Sequence, residues 1–179
     1  MRPIPAAAMI ALVSGGLLAA CAHSADPGQL AAVEHLIGDT GNMNAELNNQ
    51  DTAALAHMSA LFEAERPAIG QRLRDTLLPR EAEVLGNYFR AMNERLPLLI
   101  DERRAQQARL DSTARRLRNL RHDMEQGLMG KSKRRQALEM EQQWNVRLHQ
   151  DLDSLAARTM ALLHERRTYR AAIDSQLHP

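Results

Sequence analysis

The sequence predicts an all-α protein dominated by a long antiparallel helical hairpin, and three observations carry that reading. Aromatic residues make up only 3% of the 179-residue chain, too few for a β-sandwich, which draws on β-branched and aromatic side chains. Glycine and proline number 9 and 7, while Ala, Leu, Arg, Glu and Gln, good helix formers, fill much of the rest. Across the second half of the chain, apolar residues recur at alternating steps of four and three, the period of a coiled coil.

The elements follow in order. Arg2 and a run of small and apolar residues from Ala6 to Ala20 read as an export signal over 1–20, too short to span a bilayer. Its end, Leu18, Ala19, Ala20 and Cys21, resembles the lipobox of bacterial lipoproteins. The resemblance implies cleavage before Cys21, a diacylglyceryl thioether on its sulfur and a fatty acyl group, such as palmitate, on the new amino terminus. Ala22 stands where an aspartate would favour inner-membrane retention, so the resemblance implies an outer-membrane lipoprotein facing the periplasm. Cys21 is the single cysteine, so packing alone must hold the domain.

Residues 21–50 carry Pro27, Gly28, Gly38, Gly41 and a cluster of Asn42, Asn44, Asn48, Asn49 and Gln50. They read as a lipidated anchor and polar tether with one short amphipathic helix around Gln29 to Ile37. Within 51–78, Asp51 is placed to cap a helix from Thr52 to about Arg66, and Pro67 to start a second one running to Leu77. Pro79 closes that segment, and 79–179 is the hairpin.

The first hairpin register is Leu85, Phe89, Met92, Leu96, Leu99, Arg103, Gln106, Leu110, Thr113, Leu117, Leu120 and Met124. The second is Leu138, Glu141, Asn145, Leu148, Leu152, Leu155, Thr159, Leu162, Arg166, Tyr169 and Ile173. Gly127 and Gly130 mark the turn near 127–132, with Ser132 available to cap the second arm. Folding the chain about residue 129 sets Leu110 against Leu148, Leu96 against Leu162 and Leu85 against Ile173, and gives one polar layer of Thr113 and Asn145. The seam position Arg103 is tolerable because a long stem can cover apolar neighbours while its head reaches out. Pro97 removes a backbone donor and should kink the first arm near Asn93 and Glu94. An arm of roughly 45 residues extends about 65 to 70 Å at about 1.5 Å per residue.

Net charge is only +1, yet it is unevenly placed. Residues 21–102 hold 13 acidic and 6 basic side chains, whereas 103–179 hold 9 and 16. The steepest stretch is the hairpin tip, where Arg115, Arg116, Arg118, Arg121, Lys131, Lys133, Arg134 and Arg135 face only Asp123 and Glu125. This predicts a basic tip, remote from the anchor, that binds an acidic protein or an anionic envelope component. Nucleic acid is not an expected partner, because the interleaved aromatics of single-strand binders are missing. The geometry also admits a homodimer in which two hairpins form a four-helix coil.

Chemistry finds no foothold. His164-Glu165 lacks the second histidine of a zincin helix, since Thr168 occupies that place, and no Glu-x-x-His pair supports a di-iron bundle. There is no nucleophile elbow or glycine-rich phosphate loop, and acylation would consume the only thiol. No catalytic residue, metal ligand or cofactor is therefore assigned. The expectation is a non-enzymatic lipoprotein acting as an accessory or scaffold in the cell envelope. The alternative is a pilotin- or holdase-like chaperone using an apolar groove near Leu55, Leu61, Phe62, Leu73 and Leu77.

Overall fold

In the computed structural model, which describes residues 26–50 and 52–177, every regular element is helical. The elements are α1 (Pro27–Asn49), α2 (Thr52–Arg72), α3 (Pro79–Arg90), α4 (Leu96–Glu125) and α5 (Lys131–Leu177), and a π-helical stretch, Ala91–Arg95, joins α3 to α4. The expected export signal, Cys21 and the expected cap Asp51 lie outside the described residues.

The largest departure from the sequence reading is at α1. Where a tether with one short helix was expected, 27–49 form a single helix of 23 residues. Asp26 accepts a hydrogen bond from the Gly28 N–H at 3.0 Å and Pro27 opens the first turn. Three glycines and several asparagines make this a poor helix in isolation. Packing decides the outcome: Val33, Leu36, Thr40, Met43 and Leu47 recur at helical spacing and are buried, and the helix lies against both α4 and α5.

Its direction is fixed by three polar contacts with α4. Arg121 Nη1 pairs with Glu34 Oε1 at 2.9 Å, Gln107 Nε2 donates to Asn44 Oδ1 at 2.7 Å, and Arg103 Nη2 donates to the Leu47 carbonyl at 3.0 Å. Residue numbers fall on α4 as they rise on α1, so α1 begins beside the 126–130 turn and runs away from it. The last contact also accounts for an arginine in the apolar seam, because Arg103 satisfies a carbonyl in the final turn of α1.

Pro67 does not start a new helix. It lies inside α2, which continues from Thr52 to Arg72. The missing donor affects only the carbonyl of exposed Glu63, which water can satisfy. Pro79 instead opens α3, where Glu81 reaches back to accept the Leu78 N–H at 3.0 Å. Pro97 acts where the sequence placed it: the π-helical residues 91–95 end two positions before it, and the Leu96 N–H bonds the Ala91 carbonyl. That extra residue turns Tyr88 and Ala91 into the core, whereas Phe89 is only partly buried.

At the end of α4, Gly127 takes φ of 65°. The Leu128 N–H bonds the Asp123 carbonyl at 2.9 Å and the Gly127 N–H bonds Met124 at 3.2 Å, which together form a Schellman motif. Ser132 does not cap α5; it lies inside the first turn of that helix, which begins after Gly130.

Two apolar clusters fill the interior. The larger contains Leu55, Phe62, Leu85, Tyr88, Leu110, Leu148 and Leu162 among others, with Phe62 edge-on to both Tyr88 and Phe89. The smaller, at the turn end, holds Val33, Leu36, Leu117, Leu120, Met124 and Leu138, with Leu30 and Met129 packed against it. Thr113 and Asn145 are both buried as expected. Their hydrogen bonds lead elsewhere, since Thr113 accepts from Arg116 and Asn145 donates to Asp39 on α1. At the opposite end, Tyr88 Oη donates to Glu65 Oε2 at 2.8 Å and Arg170 Nη1 pairs with Glu65 Oε1 at 2.7 Å. Burial, and then the bond to Glu65, push the Tyr88 hydroxyl well above the usual tyrosine range.

Candidate functional site

The eight cations of the expected tip do not form one patch, because the helices send them in different directions. Arg115 and Arg118 line a groove between α1 and α4 with Ile37, Thr40 and Asn44. Arg121 turns to α1 and is held by Glu34 and, at 3.5 Å, by Glu125. Arg134 is 3% exposed, so it belongs to the interior and not to a binding surface. Lys131, Lys133 and Arg135 remain on the surface at the start of α5, Arg135 with Glu139 at 3.9 Å. Helix α1 begins at this turn end of the bundle, not at the far end.

Arg116 leads to a feature the sequence reading passed over. It turns toward α5, where its Nε and Nη2 donate to the two oxygens of Glu141 at 2.9 and 3.2 Å, a two-pronged contact that raises its pKa. The same guanidinium lies 6.0 Å from the ring centre of Trp144, and that of Arg147 lies 5.9 Å from it, both within cation–π range. Trp144 is the single tryptophan of the chain and is 53% exposed. It stands in an open cleft of about 530 Å³ between α4 and α5, lined also by Arg109, Ser112, Leu148 and Asp151.

Local spacing builds this cleft. Trp144 and Arg147 are three apart on α5 and share a face, as do Arg109, Ser112 and Arg116 on α4. Neither set falls in the heptad seam, so both stand on the rim of the α4–α5 contact. A large exposed aromatic surrounded by arginines is the composition of a protein-binding hot spot. The signal in the sequence was a tryptophan off the seam with arginine one turn on.

The remaining expected sites are placed as follows. Leu55 and Phe62 are buried in the main cluster, Leu61 and Leu77 are partly buried, and only Leu73 is exposed, so these five residues do not line a common open groove. Among the described residues no group of three His, Cys, Asp or Glu side chains is arranged to hold a metal, and no helix is long and apolar enough to cross a membrane. Compared with protein-family models, curated proteins and solved structures, the chain matches none of them.

Proposed function

We propose that this chain is a non-enzymatic outer-membrane lipoprotein, anchored through Cys21, whose periplasmic antiparallel coiled-coil hairpin (79–179) binds an acidic protein partner. The hairpin reading is supported by ion pairs that climb one arm as they descend the other: Arg95 with Glu165, Glu102 with Arg158, Arg109 with Asp151 and Arg116 with Glu141. Burial of Leu110, Leu117, Leu148, Leu155 and Leu162 at the seam supports it further.

The observation that carries the binding role is Trp144, half exposed between two guanidiniums in the α4–α5 cleft. The arginine stems and the indole offer apolar area, and the guanidiniums select carboxylates. Arg147 and Arg116 also restrain the indole, so little ordering is required on binding. An acidic helix laid along the cleft would meet Arg147 directly and would reach Arg109 and Arg116 by exchanging with Asp151 and Glu141.

The test uses the chain's only tryptophan. Capture of the envelope partner by the mature protein should weaken about 30-fold or more in Trp144→Ala, the scale of a hot-spot truncation. In the wild type, partner addition should shift Trp144 fluorescence to the blue, with affinity falling as salt rises. Undiminished capture by Trp144→Ala, with no fluorescence response in the wild type, would remove this reading.

A further inference from the structure

The helix α1 begins beside the α4–α5 turn, and this bears on which end of the bundle a lipid anchor on Cys21 would hold. Glu34 is level with Arg121, and Leu30 packs in the same cluster as Met129, so Asp26 stands beside the turn. Only Ala22, His23, Ser24 and Ala25 separate Cys21 from Asp26. That segment reaches no farther than about 18 Å when fully extended.

The surface at this end has the chemistry of a lipid contact. Leu128 occupies the position in the Schellman motif where an apolar side chain usually packs back on its helix, yet it is 68% exposed. Lys131 and Lys133 follow it, exposed, on an α5 first turn that holds no acid, with Arg135 exposed just beyond. They sit at the positive end of the helix dipole, an arrangement that an anionic surface would stabilise. The neighbouring acids are engaged: Asp26 with the Gly28 N–H, Glu34 and Glu125 with Arg121, and Glu139 with Arg135. Asp123 is half-buried.

We infer that the α4–α5 turn rests on an anionic lipid surface, with Leu128 entering the headgroup layer and Lys131 and Lys133 meeting its phosphates. This rests on the lipid-anchor reading, and it stands the rod with its turn at the membrane and the Glu65–Arg170 end outermost.

The lipidated full-length mature protein is placed in vesicles of phosphatidylglycerol and phosphatidylcholine that carry a headgroup quencher. A fluorophore is attached at Leu128→Cys or, at the opposite end, at Gln71→Cys; the Cys21 sulfur is blocked by its thioether. Quenching at 128 should exceed that at 71 at least fivefold, and should fall by half or more in pure phosphatidylcholine or on Lys131→Gln with Lys133→Gln. Equal or reversed quenching overturns the inference, as does quenching at 128 that ignores lipid charge and both lysines. A second arm uses non-acylated Cys21→Ser protein with the same labels. Co-flotation with anionic vesicles, quenched at 128, sustains the contact independently of the anchor, and no co-flotation of this form at low salt counts against it. Separately, Cys21→Ser remaining as the wild type does in cell membranes washed at high salt, which strips the electrostatic contact, would overturn the anchor reading alone. Lysine substitutions that weaken capture of an acidic protein while leaving lipid contact intact would assign this end to a protein and overturn the proposal.

Discussion

The two ends of the bundle are held in different ways. The turn end closes on six buried side chains, all aliphatic or methionine, and depends on α1 for two of them, Val33 and Leu36. The opposite end combines Phe62, Tyr88, Leu85 and Ile173 with the Glu65–Arg170 pair and the Tyr88 hydrogen bond. One end therefore relies on a helix that is weak by propensity, while the other is cross-braced by aromatic and charged contacts. Local opening is expected to begin in α1 near Gly38 and Gly41.

The largest effects should come from the braced end. Leu162→Ala empties a site with no solvent exposure and should cost about 2 to 5 kcal/mol in denaturant unfolding. Val33→Ala at the turn end, also fully buried, removes fewer atoms and should cost about 1 to 2 kcal/mol. Hydrogen exchange should show its effect confined to α1, the start of α5 and the end of α4. Equal destabilisation spread over the whole chain would erase the distinction between the two ends.

Alkaline pH offers a selective way to loosen the braced end. The ordinary tyrosine pKa is 10.0, and in the folded chain that of Tyr88 is raised. The folded state thus holds its proton more tightly, so the contribution is complete below pH about 10 and is lost as pH rises beyond it. Unfolding free energy measured from pH 9 upward should fall in the wild type, and the fall should be markedly shallower in Tyr88→Phe. An identical slope in the two proteins would show that the Tyr88–Glu65 contact does not govern this end.

Smaller changes sharpen the comparison from the other side. A Cβ added at Gly38 meets nothing within 4 Å, so Gly38→Ala should stabilise the protein by about 0.5 to 1 kcal/mol and slow exchange in α1. Arg118→Gln, on the exposed wall of the α1–α4 groove, should change stability by no more than about 0.5 kcal/mol.

How much of this was legible depended on whether a residue's role was written in its own neighbourhood. The buried faces of α4 and α5 were legible because Leu110, Leu117, Leu148 and Leu155 declare a face by spacing alone. Pro97 and Gly127 were legible because each imposes a backbone consequence locally. Helix α1 was not, since Gly38, Gly41 and the asparagines argue against a helix and only burial of Met43 and Leu47 against other helices reverses that. Pro67 misled for a related reason: its effect depends on whether the affected carbonyl can reach water. Of the site, the cations were visible but their partition was not, because Glu34 and Glu141 reach Arg121 and Arg116 from distant positions in the chain.

The common location of the start of α1 and the α4–α5 turn underlies the whole orientation, and a distance measurement tests it most directly. Spin labels at Ala31→Cys and Ser132→Cys, in a Cys21→Ser background, report the separation of α1 from the start of α5. Neighbouring helices pack about 8 to 10 Å apart, so with label arms the distance should be narrow and near about 20 Å. A second pair, at Asn49→Cys and Ser132→Cys, should lie beyond about 35 Å, given the length of α1 at about 1.5 Å per residue. A broad distribution for the first pair, or one longer than the second, would return 27–49 to a loose tether and contradict the account.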